Sequence, residues 1–278
     1  MKLSTPIRAF ALALAASVFL LFIPVHAVDI VAHRGASHDA PENTLAATKL
    51  AWKQGADAVE TDIYLSADGK IIVFHDRTAK RTGGRDVPIA SLTLAEARKL
   101  DAGTWKAPAF AGEKVPLLDE QIATIPRGKR ILVEIKVGPE IVPELGRVFA
   151  RTGTSEKNIT VISFNFDSLV AVRKQLPNYP TLWLVGYRAP DPVKAPEAKA
   201  PPTVDEMIRA AKAAGLTGLD LQHTWPLTAA DAKKIKAAGL ELHVWTVNDV
   251  AIARRWIALG VASITTDRPA WLREQLAL

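Results

Sequence analysis

The chain contains no cysteine, so neither disulfides nor thiol chemistry can contribute to its stability or its reactivity. It lacks a glycine-rich dinucleotide fingerprint between strand and helix, which argues against an open sheet built to hold a pyrophosphate. No block of like charges and no basic helix face is present, which disfavours nucleic acid as a partner despite a formal charge of +6. After the first residues no apolar run is long enough to span a bilayer. No fixed-period repeat is apparent, so a solenoid is not expected.

What is present begins with a leader-like segment. Lys2 and Arg8 precede an apolar stretch from Ala9 to Ile23, and the small Ala27 follows Pro24. The stretch is about fifteen residues long, short of the ~20 of a membrane-spanning helix, and fits the apolar part of a secretory signal. We therefore expect cleavage after Ala27, a periplasmic or secreted product and no stable membrane insertion afterwards; a retained N-terminal anchor is the alternative. Loss of Lys2 and Arg8, with no acid in residues 1–27, lowers the formal charge from +6 to +4. Residues 28–278 are then expected to form one catalytic domain.

Eight short runs rich in Val, Ile and Leu recur, at 30–32, 58–65, 131–135, 159–163, 181–185, 218–221, 242–247 and 262–265. Helical patterns at 42–54, 140–151, 167–176, 204–214, 229–238 and 250–259 follow most of them. Buried strands alternating with helices pair in parallel, and eight such units over about 250 residues predict a closed (β/α)8 TIM barrel, an α/β fold. One run breaks the alternation. Lys70 to Phe74 follows the second strand across only Ser66-Ala67-Asp68-Gly69, too short for a parallel crossover, so it must return as a hairpin arm. Folding about Asp68 brings His75 back to within a residue or two of Glu60. Residues 77–116, with the turn-rich RTGGRDVP and APAFAGEKVP, are expected as a small insertion on the catalytic face. Arg188 to Pro202 is too proline-rich for a helix or an interior strand and is read as a loop on that same face.

Active sites of such barrels lie at the C-terminal ends of the strands. There the sequence places His33-Arg34, Glu60 and Asp62, Glu134 and Lys136, Ser163-Phe164, Gln222-His223, Trp245 and Asp267. Residues two apart on a strand share a face, so three carboxylates converge. Unneutralised they would repel one another; a divalent cation held by Glu60, Asp62 and Glu134 resolves this, and all-oxygen ligation favours Mg2+ or Ca2+. Ion pairing with Arg34 or Lys136 is the simpler alternative. His33 and His75 are candidates to move protons, because the ordinary pKa of an imidazole lies near neutrality. His38 is expected to be solvated, His223 and His243 remain open, and Trp245 is a candidate apolar wall. Pro41-Glu42-Asn43-Thr44 fits a helix start.

HRG at 33–35, PENT at 41–44, ETD at 60–62, HD at 75–76, LDAG at 100–103, FAGEKVP at 110–116, EIK at 134–136, SF at 163–164, WTVN at 245–248 and TD at 266–267 occur in this order. Together they resemble the glycerophosphodiester phosphodiesterase family. The resemblance implies a metal-dependent enzyme hydrolysing a small-molecule glycerophosphodiester to glycerol 3-phosphate and an alcohol. It further implies that His33 and His75 act as acid and base, that Glu60, Asp62 and Glu134 bind metal, and that Arg34 and Lys136 contact phosphate. Attack by the adjacent glycerol hydroxyl, through a cyclic phosphate, is expected on the same grounds. Competing expectations are a phosphodiesterase acting on intact lysolipid, a secreted binding protein of the same fold, and a nucleic-acid enzyme. The alcohol, the choice of metal and the oligomeric state stay open at this level.

Overall fold

A computed structural model describes residues 28–189 and 200–278. The expected signal at 1–27 and most of the proline-rich 188–202 segment therefore lie outside the described residues. The strands are β1 (Asp29–Ala32), β2 (Ala58–Leu65), β3 (Ile71–Val73), β4 (Arg130–Ile135), β5 (Ile159–Ser163), β6 (Thr181–Val185), β7 (Gly218–Gln222), β8 (Glu241–Trp245) and β9 (Ser263–Thr266). The hydrogen-bonded order is β1-β9-β8-β7-β6-β5-β4-β2-β3, and an additional β1–β2 pairing closes the ring. Eight parallel strands thus form the TIM barrel, and β3 lies outside it as the antiparallel arm.

The arm has the register that a tight Asp68-Gly69 turn dictates. Ile63 pairs with Val73, and the Phe74 N–H donates to the Asp62 carbonyl at 3.0 Å. His75 is thereby delivered beside the strand end that carries Glu60 and Asp62. Around and after the arm come α1 (Leu45–Lys53), α2 (Lys80–Gly83), α3 (Leu94–Ala97) and α4 (Leu118–Ile122). The insertion that holds α2 and α3 has its own small core, in which Ile89, Leu92 and Leu100 pack on Tyr64, Ile72 and Phe74 of the arm.

The remaining helices, α5 (Val142–Thr152), α6 (Phe166–Gln175), α7 (Val204–Ala213), α8 (Ala229–Ala237), α9 (Val250–Leu259) and α10 (Pro269–Leu276), ring the barrel. Thr203 and Thr228 close capping boxes at the starts of α7 and α8, satisfying N–H groups that the first turn leaves free. α10 was not anticipated from the sequence; it starts with Pro269 in its first turn, and its Arg273 reaches the Gly55 carbonyl and Asp57.

The strand alternation sorts apolar side chains into two layers. Ile30, Val133, Phe149 and Trp256 belong to the shell between strands and helices. Val31, Ala58, Leu132, Ile162, Leu182 and Leu184 pack together inside the barrel. The positions two further along the inward-facing rows of β2 and β4 are acidic, which marks where the core ends and the mouth begins.

The expected helix start at Glu42 is corrected to Leu45. Thr44 is the cap, its side chain accepting from Ala47 N–H, and Asn43 holds a left-handed φ of 60°. Glu42 and Asn43 are released from the helix for other partners.

Candidate active site

β1 ends in a turn that the backbone can make only under constraint. Arg34 has φ 55° and Gly35 φ 82°. A Cβ at Gly35 would sit 2.6 Å from the Ala47 backbone, so only glycine fits there. The left-handed Arg34, strained by ~1–2 kcal/mol, is held by its N–H donating to Glu60 Oε2 at 2.9 Å. The turn aims the guanidinium back over β2: Arg34 Nη1 donates to Glu42 Oε1 at 2.9 Å, and Nε lies 3.3 Å from Asp62 Oδ2.

Glu60, Asp62 and Glu134 are buried, and each offers an oxygen such that these atoms all lie within 4.8 Å of one another. Parallel pairing of β2 with β4 sets Asp62 beside Glu134 in register. Lys136 Nζ donates to Glu134 Oε1 at 2.7 Å and lies 3.3 Å from Asp62 Oδ1. Asn43 completes the Asp62 environment, donating to Oδ2 at 2.7 Å while its Oδ1 accepts from the Asp62 N–H at 3.2 Å.

The ion pairs anticipated as an alternative are present, yet two cations face three acids. Burial would raise the Asp62 pKa, but Lys136 and Arg34 hold it below the ordinary range. Burial and the neighbouring Asp62 and Glu134 push Glu60 well above it. Burial and Asp62 push Glu134 up to about 8. Glu60 Oε1 is buried and, among the described residues, has no hydrogen-bond partner. An all-oxygen cluster short of positive charge, with an oxygen unspoken for, fits a divalent cation.

The two histidines flank this cluster, each oriented by a carboxylate on Nδ1. His33 Nδ1 is 2.6 Å from Asp267 Oδ1, and Asp267 is fixed in turn by Ser37 Oγ at 3.0 Å and Asn248 Nδ2 at 2.6 Å. His75 Nδ1 is 2.7 Å from Asp76 Oδ1. Arg81 from α2 donates to both Asp76 oxygens, at 2.7 and 2.9 Å, and to both Glu42 oxygens, at 2.8 and 2.7 Å. That hydrogen bonding draws Asp76 down to about 2. One chain of charge therefore runs from the insertion to His75 and, through Glu42, to Arg34.

His33, Arg34, Glu60, His75, Glu134, Lys136 and Trp245 line one cavity; Asp62, 1% exposed, does not reach its lining. Trp245 forms its apolar wall with an edge-to-face Phe164 at 5.3 Å between ring centroids. His38 is exposed beside Asp39, as a loop histidine should be. His243 is buried and bonded to Ser263 and Glu241, outside the cavity lining.

The model of the glycerophosphoryl diester phosphodiesterase family matches residues 33–271. The chain belongs to this family. A putative glycerophosphodiester phosphodiesterase of Bacillus subtilis is 34% identical over 250 residues, covering 87% of this chain and 96% of that protein. A second Bacillus subtilis relative, a glycerophosphodiester phosphodiesterase, is 31% identical over 256 residues, 86% of this chain and 83% of its own length. Among solved structures, an Oleispira antarctica phosphodiesterase in complex with the product sn-glycerol-3-phosphate superposes with a TM-score of 0.79 at 29% identity, covering 90% of this chain and 97% of that one.

Within this phosphodiesterase, sequence reasoning missed three groups at or beside the site. Asn43 was read as part of a helix cap, yet it bridges the loop to Asp62. Arg81 carries no local signal, because Glu42 is 39 residues away and Asp76, five residues before it, lies outside α2. Asp220 on β7 did carry one, being an acid inside the apolar run Gly218 to Leu221.

Proposed function

We propose that this phosphodiesterase hydrolyses glycerophosphodiesters to glycerol 3-phosphate and an alcohol, with His33 and His75 exchanging protons and Arg34 and Lys136 holding the phosphate. The observation that carries this reading is the convergence of both histidines, both cations and the carboxylates on one cavity. Glu60, Asp62 and Glu134 would hold a divalent cation, Mg2+ or Ca2+, which when bound supplies Lewis-acid neutralisation of the phosphoryl oxygens.

The chain's own groups account for the rest. With Nδ1–H donated to a carboxylate, each imidazole is left with Nε2 as the proton-exchanging atom. One takes the proton of the attacking hydroxyl, and the other returns a proton to the leaving alkoxide. Arg34 and Lys136 stabilise the charge that grows on the phosphoryl oxygens. Trp245 and Phe164 exclude water from one side of the reacting centre. We assign the attack to the neighbouring hydroxyl of the glycerol, which places that oxygen next to phosphorus without an entropic search and yields a cyclic phosphate that water then opens.

The test is to incubate the protein with several glycerophosphodiesters, with Mg2+ or Ca2+ and with chelator, and to measure glycerol 3-phosphate. Release only with added cation supports the reading; no release under any condition overturns it. A diester lacking the adjacent hydroxyl tests the cyclic route, which unimpaired turnover would exclude. The reading also places the protein in the periplasm or outside the cell, on the strength of Lys2, Arg8 and the apolar 9–23 stretch. N-terminal sequencing of protein recovered from that compartment should begin at Val28.

A further inference from the structure

The far wall of the cavity holds two polar groups that the reaction outlined above leaves unused. Asp220 on β7 is 1% exposed and Thr265 on β9 is 2% exposed; both line the cavity. Asp220 Oδ1 and Thr265 Oγ1 are buried and, among the described residues, have no hydrogen-bond partner. The side chains between them are committed elsewhere. His243, the register partner of Asp220 on β8, gives its ring nitrogens to Ser263 Oγ at 2.7 Å and Glu241 Oε2 at 3.2 Å. The Trp245 indole N–H donates to the Asp220 backbone carbonyl at 3.0 Å, not to its carboxyl.

A buried polar atom without a partner is costly, so two on one cavity wall favour a polar occupant there. Burial pushes Asp220 up to about 7, so near neutrality its carboxyl can both donate and accept, as a threonine hydroxyl can. Leu184, the register partner of Asp220 on β6, Trp245 on β8 between the two groups, and Ile162 offer C–H surface beside them in the same cavity. A short polyol matches this mixed lining, since it carries hydroxyls and carbon together.

We infer that Asp220 and Thr265 form a hydroxyl-reading subsite on the β7–β9 wall that receives the glycerol arm of the diester, leaving the alcohol toward the open mouth. The inference deepens the proposed function and rests on it for the identity of the ligand. An amino alcohol suits the subsite less well, because an ammonium has no acceptor role and would face a carboxyl that burial disfavours as an anion.

The test is calorimetric binding of sn-glycerol 3-phosphate, phosphoethanolamine and inorganic phosphate, with Mg2+ present, to the wild type and to Asp220→Leu, Asp220→Asn and Thr265→Val. Asp220→Leu should weaken glycerol 3-phosphate by ~10–100-fold and Thr265→Val by ~3–10-fold, each well beyond its effect on phosphate. Asp220→Asn, which keeps a donor and an acceptor, should recover most of the loss. Thermal unfolding of the same variants checks the fold, and Thr265→Val carries the test if Asp220→Leu does not fold. Equal losses for glycerol 3-phosphate and phosphate would overturn the subsite, as would a loss confined to phosphoethanolamine, or a wild type that does not bind glycerol 3-phosphate. Because binding is read without turnover, a protein that binds glycerol 3-phosphate through Asp220 but cleaves no diester would sink the proposed reaction and leave the subsite standing.

Discussion

On the β1–β4 side of the barrel mouth two of the three buried carboxylates, Asp62 and Glu134, lie at ion-pair distance from Arg34 or Lys136, whereas on the β7–β9 side Asp220 is buried with His243 as its titratable neighbour and, among the described residues, with no hydrogen-bond partner for Oδ1. The first wall is built to hold charge and retains an excess of it. The second has little charge to hold and leaves its polar atoms waiting. Buried groups of this kind are costly unless they are paired; the proposed cation would relieve one wall and the proposed glycerol hydroxyls the other.

The sharpest way to break this contrast is to remove the cation. Chelation should eliminate glycerol 3-phosphate release, and Mg2+ or Ca2+ should restore it. Added cation should also stabilise the wild type, by ~2.7 kcal/mol at a hundredfold excess over Kd, read as a higher melting temperature, and much less in Glu60→Gln or Glu134→Gln. A cation-independent melting curve would argue that Arg34 and Lys136 suffice for the first wall.

Replacing His33 or His75 with Ala should lower kcat/KM by ~10²–10⁴-fold while leaving the melting temperature near that of the wild type. Retained activity in either variant would remove that residue from the chemistry.

The second wall makes a stability prediction. The Asp220 pKa is raised by folding to about 7 from an ordinary 3.8, so the folded state holds its proton more tightly than the unfolded chain does. Its burial costs nothing extra below about pH 4, and the penalty grows to its full size above about pH 7. Relative to Asp220→Asn, the wild type should therefore lose stability across that window, by at most ~4 kcal/mol. His243 on β8 is the titratable neighbour, and Glu60, Glu134, His33 and His75 share the cavity; the Asn comparison cancels their contribution. Urea unfolding of both proteins between pH 4 and pH 8 measures the difference, and parallel curves would mean that Asp220 finds a partner.

The smallest effect concerns the link between insertion and barrel. Arg81→Ala frees Asp76 and Glu42 together, and we expect a ~10-fold lower kcat from looser placement of His75 and Arg34. An equal loss in Arg81→Lys would show that the two-sided fork, beyond its charge, sets the geometry.

Much of this was legible in the chain. Alternating apolar runs gave the barrel, and a four-residue gap at Asp68-Gly69 forced the arm, because no parallel crossover fits so short a connection. Period-two spacing put Glu60 with Asp62 and Glu134 with Lys136 on shared faces. The α1 start was misplaced because Pro41, Asn43 and Thr44 all carry capping signals, and only Thr44 takes the role. α10 follows the last strand, where its sequence signal is Pro269, an ordinary helix opener.

The sequence by itself determined the fold class and the chemical inventory of the mouth, since strand periodicity and residue type are local properties of the chain. Only the tertiary structure decided which charges neutralise which. It placed Arg81 between Asp76 and Glu42, turned Asn43 onto Asp62, and left Asp220 Oδ1 and Thr265 Oγ1 without partners among the described residues. Such pairings join separate segments, and their energies depend on distance and burial, which no local pattern encodes.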